Sequence, residues 1–414
     1  MKNLFYTLIL LQIISIETFP QWNVNLPTDI VLLQSVFFKD SVMGWAAGSD
    51  ILLTTDGGEN WNIIGTNYST FNSIYFVNLL YGWAVNDYGN ILHSTDGGNN
   101  WLLQNSGTTS PLKSIFFKDS LNGFITMVNG IILRTSNSGF SWDSIHVGQP
   151  VSLLSINFVD QNNGWVVGSY GTILRTTNGG NDWIKQNSGT QRPLVSVCFI
   201  DLNYGWIVGN YGTILHTTDS GNSWLLQQSP LPYRDFESCQ FIDKNKGWIV
   251  GEHGAILYTT NGGEDWIDIS FSCLNTNHHQ SVFFLDQFNG WVVGYGRDNF
   301  SNYQASILHT QTGGITFIDD KNNIDKVKGF ELYQNYPNPF NPSTKIQFVI
   351  NKRELVSLKV HDLLGNEIDV LVNEEKDPGI YEVEFNAKDL SSGVYFFKMK
   401  AGNFSKTKKI LLMK

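Results

Sequence analysis

Two carboxylates at the right separation would suffice for glycoside hydrolysis, one as acid and the other as base or nucleophile. Acidic residues outside the recurring slots include Asp29, Asp87, Asp235, Glu237, Glu252 and Asp298. They are spread over different loops, with no evident pair. A hydrolase of acidic sugars would also need clustered arginines and a tyrosine nucleophile. Between residues 22 and 319 the arginines are Arg134, Arg175, Arg192, Arg234 and Arg297, and the first two share one slot of a repeat. Metal chemistry has less to work with. No His-x-x-x-His or Cys-x-x-Cys spacing occurs, and the adjacent His278 and His279 would point apart on a strand. His93, His216 and His309 share another slot and read as solvated or inter-repeat polar residues, so no metal ligand is assigned. No phosphate-cradling glycine loop leads into a helix, so the glycines read as turn formers and no cofactor is expected.

What would position such residues is a repeat. A Gly-aromatic pair returns at Trp45, Trp83, Phe124, Trp165, Trp206, Trp248 and Trp291, with spacings of 38, 41, 41, 41, 42 and 43 residues. Seven residues before each aromatic stands a phenylalanine, from Phe38 to Phe284, and nine before it a small apolar residue. These two slots share one face of a strand. Each unit then reads as four short strands: the Val/Ile–Phe strand, the Gly-Trp strand, an Ile-Leu-x-Thr strand and a strand opening at a second tryptophan. Gly and Asn/Asp punctuate the junctions, and no helical periodicity appears. Such thin four-stranded units, about 40 residues long, fit propeller blades better than the rival β-solenoid. The fold class predicted is all-β: a seven-bladed β-propeller followed by a small antiparallel Ig-like β-sandwich. Trp22 stands 16 residues before Phe38, as Trp183 stands before Phe199, so a fourth strand from the start of the chain closes the ring. Phe317 competes for that slot.

Both ends of the chain differ from the repeats. Lys2 precedes an apolar run from Leu4 to Ile16, so residues 1–20 read as a signal peptide cut between Ser15 and Gln21, and no stable membrane span is expected. The propeller takes residues 21–319, a charged linker 320–330, and a sandwich of alternating strands 331–414. Residues 22–319 hold 11 Lys+Arg against 23 Asp+Glu, a net charge of about −12, which argues against nucleic acid. Three cysteines are too few for a disulfide framework. Cys239 occupies an inward slot and Cys198 the opposite face. A bridge from Cys239 to Cys198 or Cys273 stays open.

Two resemblances follow from these motifs. The stretch Tyr336-Pro337-Asn338-Pro339-Phe340-Asn341-Pro342, the Asp362-x-x-Gly365 turn, Leu390-x-Ser392-Gly393-Val394-Tyr395 and the closing Lys409-x-Leu411-x-x-Lys414 are similar to the type A sorting domain of the type IX secretion system of Bacteroidota. That resemblance implies the secretion machinery as a partner, passage over the outer membrane, and release or attachment at the surface. The repeats resemble the photosystem II assembly and stability factor family, and also the Asp-box hairpin of sialidases, as in Thr54-x-Asp56-x-Gly58-x-x-Trp61. Trp45, Trp83, Trp165, Trp206, Trp248, Trp291, Asp56, Asp96, Asn178 and Asp219 are read as builders of the fold: the Asp or Asn caps its own turn and the tryptophan packs beneath.

Recognition is easier to place than chemistry. On one rim, the turns between strands 2 and 3 carry Tyr88, Tyr170, Tyr211, His253 and Tyr295. The connections between blades on the same rim carry Lys113, Arg192 and Arg234. The seventh unit adds an eight-residue loop containing Arg297, Asp298, Asn299, Phe300, Asn302 and Tyr303. Exposed aromatics with a few basic groups suit recognition of an extracellular protein or glycan. The reading is an exported, non-enzymatic binding module, with a secreted carbohydrate-active hydrolase as the alternative.

Overall fold

The seven repeats fold as seven four-stranded antiparallel sheets in the computed structural model. It describes residues 22–66, 68, 70–271, 275–298, 300–314, 330–333, 335, 338–350, 352–377 and 379–413. Blade 1 runs through strands Leu33–Phe38, Gly44–Gly48, Ile51–Thr54 and Asn62–Ile63, each paired with the next. In its inner strand Leu33, Val36 and Phe38 are buried while Gln34, Ser35 and Phe37 are partly exposed. A bulge between Leu33 and Ser35 breaks the alternation, and the register shifts at the matching place in every blade.

Contacts from blade to blade explain why the repeat needs these aromatics. Each second-strand ring stacks on the inner-strand phenylalanine of the next blade: Trp45 on Phe76, Trp83 on Phe117 and Trp206 on Phe241, all at 3.6 Å between centroids. The indole N–H then donates to a turn carbonyl of the same neighbour, as from Trp45 to Gly97 at 2.9 Å and from Trp206 to Gly262 at 2.9 Å. That turn is held by its Asp box. Thr54 Oγ1 donates to Asp56 Oδ1 at 2.8 Å, and Asp56 Oδ1 accepts from the Asn60 amide at 2.9 Å. The fourth-strand tryptophan closes the stack edge-on, Trp61 meeting Phe38 at 5.8 Å and 90°. No Cβ fits at Gly44, because the Phe38 ring would lie 2.3 Å from it.

Blade 7 combines Asn275–Phe284, Gly290–Arg297 and Tyr303–Thr310 with Asn23–Asn25 from the start of the chain. Asn23 pairs with His309 and Asn25 with Ile307, and Trp22 meets Phe284 edge-on at 6.4 Å, so Trp22 fills the fourth-strand slot. Phe317, its rival, lies outside the described residues. Trp291 seals the last junction, stacking on Phe38 at 3.6 Å and donating to Gly57 O at 3.0 Å.

A further ring recurs one step from the core. Ser35, Ser73, Ser114, Ser155, Ser196, Ser238 and Ser281 stand ten residues before the seven repeat aromatics. Six of their hydroxyls accept from the inner-strand amide of the next blade, including Val36 N to Ser281 Oγ at 3.2 Å across the closing junction. Strand edges that would otherwise lack partners at the ring centre are thereby satisfied.

The C-terminal unit has two sheets. One joins Glu331–Leu332, Ser343–Ile350 and Gly379–Asn386, the other Glu354–His361, Glu367–Lys376, Gly393–Ala401 and Phe404–Leu412. Their facing side chains, Ile346, Phe348, Val356, Leu358, Phe385, Phe397 and Met399 among them, make one core. The expected sorting residues tie its ends together. Asn338 Oδ1 accepts from Leu411 N at 2.8 Å, Phe340 is buried with its N–H on Leu411 O, Gly393 pairs with Leu412, and the Tyr395 hydroxyl donates to Ser391 O at 2.9 Å. Pro339 follows Asn338 across a cis peptide bond. Pro337 and residues 1–20 lie outside the described residues.

Candidate binding rim

The turn between strands 2 and 3 is built to project its tip. In blades 4, 5 and 6 the tip residues Tyr170, Tyr211 and His253 have φ near +56° and are followed by glycine, so the side chain stands out from a tight turn. Tyr88, Tyr170 and Tyr211 are exposed on three different blades. Arg192 reaches Tyr211, donating to its carbonyl at 2.9 Å with the guanidinium 5.7 Å from the ring centroid. Arg234 lies half-buried in the connection entering blade 6. Lys113 pairs with Asp87 at 2.7 Å, and Asp87 also accepts from Asn72.

Blade 7 departs from the sequence expectation. Its extra residues extend two strands instead of forming a free loop, pairing Tyr295 with Ala305 and Arg297 with Tyr303. Tyr295 is therefore a half-buried strand residue and not a turn tip. Asp298 caps the new turn through the amides of Phe300 and Asn302, leaving Phe300 85% exposed at its end. Asn299 lies outside the described residues.

The longer hairpin brings rings of two blades together. His253 and His278 centroids are 6.0 Å apart, His278 stacks on Tyr295 at 5.2 Å, and Tyr295 meets Tyr303 at 6.0 Å. Arg297 lies 4.4 Å over the Tyr303 ring and donates to its hydroxyl at 2.9 Å. His278 has no place among the expected residues, yet it is the central ring of this strip. The bridge between Glu252 and His278 brings it there.

The six carboxylates also need correction, since three of them converge. Glu237 rises from the blade 6 inner strand Phe236–Phe241 beside Asp235 and Glu252, although sequence distance hides the grouping. Burial first, then repulsion from Glu252 and Asp235, pushes its carboxyl up to about 7. Asp235 is occupied by the Asn210 amide at 2.9 Å and the Tyr211 N–H at 2.8 Å, while Glu252 stands 3.7 Å from His278 Nδ1. Asp29 is exposed elsewhere.

Raising Glu237 from an ordinary value of 4.5 to about 7 means that the folded chain binds this proton more tightly than the unfolded chain. The stability it contributes is complete below pH 4.5 and is lost as pH rises to about 7. Glu237→Gln, which never ionises, is therefore expected to gain up to about 3 kcal/mol over the native chain at pH 8 and nothing at pH 4. Denaturant unfolding at the two pH values measures this; equal effects at both would contradict it.

Of the three recurring histidines, His93 and His309 are buried and His216 is partly exposed, so none is a freely solvated side chain. His93, His216 and His309 lie flat against Trp83, Trp206 and Trp291, with centroids 4.6, 4.6 and 4.9 Å apart. Burial holds all three below the ordinary imidazole value, His309 at about 4. Cys198 and Cys239 are free thiols in neighbouring blades, and Cys273 lies outside the described residues. Among the described residues there is no metal-ligating cluster and no helix long and apolar enough to cross a membrane. A shallow cleft of about 360 Å³ between the outer edges of blades 4 and 5, lined by Arg175, Ile184, Lys185 and Gln186, contains none of the rim residues.

Against known proteins, the family described as photosynthesis system II assembly factor YCF48 matches residues 14–144 and 136–232. Together these span 14–232, or 219 of 414 residues. The chain belongs to the YCF48 family. Its other end matches the family described as secretion system C-terminal sorting domain over residues 334–413. This YCF48-family chain is thus exported by the type IX secretion system, its partner in transit, to the cell surface or the medium. No curated protein matches the sequence significantly. Among solved structures, a YCF48 bound to a D1 peptide is 22% identical with a TM-score of 0.58, covering 70% of this chain and 95% of that one. A catalytically inactive virginiamycin B lyase from Staphylococcus aureus is 13% identical with the same TM-score, covering 70% and 99%. PorZ, a surface component of the type IX secretion system of Porphyromonas gingivalis, is 14% identical with a TM-score of 0.50, covering 90% and 56%. At these identities the likeness is one of fold.

Proposed function

We propose that the YCF48-family propeller is a non-enzymatic recognition module whose rim, centred on blades 6 and 7, holds an extracellular protein or polysaccharide. The observation that carries this reading is the continuous strip His253–His278–Tyr295–Tyr303–Arg297, a set of rigid rings beside a planar cation at the end of an asymmetric hairpin. Such groups provide contact area at small entropic cost. A family member bound to a peptide supports the same use of the scaffold. The photosynthetic role in the family name belongs to its namesakes, because an exported chain meets other partners.

One observation favours the alternative, a carbohydrate-active hydrolase. A carboxyl held near 7 has the value a general acid needs. Against it, Asp235 already accepts two turn donors and Glu252 leans toward His278, so no free carboxylate faces Glu237 across a cleft. The deciding experiment applies the full chain to glycan and peptide arrays beside a Tyr295→Ala/Tyr303→Ala variant and a Tyr88→Ala variant. Binding abolished by the blade 7 pair and retained in Tyr88→Ala is expected. Binding indifferent to the blade 7 pair would overturn this assignment of the rim.

A further inference from the structure

We infer that the mouth beside blades 6 and 7 takes the ammonium or guanidinium group of a lysine or arginine carried by an extended segment of another protein. This rests on the recognition reading above and names its ligand chemistry. The Phe236–Gly251 pairing sets Glu237 beside Glu252, and the Glu252–His278 bridge carries the two to the edge of blade 7. No lysine or arginine forms an ion pair with Glu237 among the described residues; Lys113, in the matching inner-strand slot of blade 3, pairs with Asp87 of blade 2. The wall is Tyr295 with His278 stacked on it at 5.2 Å. Glu252 Oε1 stands 3.7 Å from Nδ1 of that stacked His278, which puts a carboxylate at the edge of the ring pair. Burial first, then Glu237, Tyr303 and Glu252, raises the Tyr295 hydroxyl above the ordinary phenol value.

Above pH 7 a cation placed there meets the ionised Glu237 carboxylate and the faces of aromatic rings together, the two features that bind ammonium and guanidinium groups. The chain itself shows the chemistry next door, where Arg297 lies over Tyr303 at 4.4 Å. Charge complementarity extends beyond the site: residues 22–319 carry 11 Lys+Arg against 23 Asp+Glu, a net charge of about −12 that favours basic partners over acidic ones. The strip continues from Tyr295 to Tyr303 and to exposed Phe300, which gives the neighbours of the inserted residue something to lie on. A segment of protein uses that length, whereas a free cation would not.

The test is a fluorescence-anisotropy titration of the full chain with fluorescein-labelled tetralysine and, separately, tetraglutamate, near physiological salt. Saturable tetralysine binding is expected, weakened about tenfold or more by Glu237→Gln and by Tyr295→Ala, and less than twofold by Glu264→Gln. The last variant removes the same charge from an exposed Asp-box turn of the same blade, away from the ring strip. Equal losses in Glu237→Gln and Glu264→Gln would reduce the effect to diffuse attraction and overturn the inference, as would equal binding of tetraglutamate. Absent tetralysine binding, alongside array binding that the blade 7 pair abolishes, would overturn the cation site alone and leave rim recognition standing. Absence of both would remove the reading beneath it as well.

Discussion

Trp22→Ala is expected to cost about 3–5 kcal/mol of propeller stability, the range for removing a large aromatic side chain from a core. Trp22 is buried, meets Phe284 edge-on at 6.4 Å, and precedes the three residues that pair with the blade 7 edge. Its loss should therefore release Asn23–Asn25 as well, because those few backbone bonds are anchored by one side chain. At this size each kcal/mol lowers the melting temperature by roughly 2–4 °C, so a fall of about 10 °C is the calorimetric expectation. Val24→Ala, at an exposed position on the same strand, is the comparison. If the two variants cost the same, Trp22 does not hold the ring closed.

The second large effect is acid destabilisation through two buried imidazoles. Burial holds His279 and His309 at about 4, against an ordinary value of 6.5. For His279 the bond between its Nε2 and Phe271 O opposes that shift, while neighbouring His278 adds to it. Glu59 stands 3.9 Å from His309 Nδ1 but is largely exposed, so water screens it. A histidine whose folded value is depressed contributes stability that is present above pH 6.5 and lost as pH falls toward 4, because the unfolded chain takes up the proton first. Each site is worth about 3 kcal/mol over that interval. Glu237 works the other way between pH 7 and 4.5, returning about 3 kcal/mol, so the two histidines still dominate. His309→Gln removes one of them. Its stability relative to the native chain should improve by about 3 kcal/mol between pH 7 and pH 4, whatever the lost stack on Trp291 costs at both. A constant difference at the two pH values would show that His309 protonates freely in the fold.

Much of this architecture is legible in the sequence because repetition multiplies each signal. One Gly-aromatic pair means little, but six Gly-Trp and one Gly-Phe with Phe at a constant offset specify a ring whose neighbours stack. Closure by Trp22 is legible for the same reason, as a fourth-strand residue not preceded by the sequence motifs of the first three strands. The serines are just as periodic, yet their role is hidden, since six of the seven accept from a backbone amide one blade away and leave no complementary residue to find. The shared histidine slot reveals its position and not its environment. What covers His309 is Trp291, its direct partner on the adjacent strand, and only the packed sheet shows how flat the two rings lie.

The rim is less legible because it departs from the repeat. Extra residues in blade 7 read naturally as a loop, but Arg297 and Tyr303 continue the ladder and lift a turn above the rim. The carboxylate grouping depends on the bulge that turns the Glu237 side of the inner strand, and on a bridge between Glu252 and His278. Neither feature has a sequence signature. Glu237, His278 and Tyr295 span 58 residues and three strands, so their proximity emerges only from the fold.

The measurement bearing most directly on recognition without turnover is product release by the full chain from whichever arrayed glycans or peptides it binds. Mass spectrometry would follow saturating substrate over many hours, with Glu237→Gln in parallel. The account predicts stable complexes and unchanged ligand for both proteins. Cleaved product that accumulates with the native chain and disappears in Glu237→Gln would contradict it, and would make the buried carboxyl of blade 6 the acid of a hydrolase.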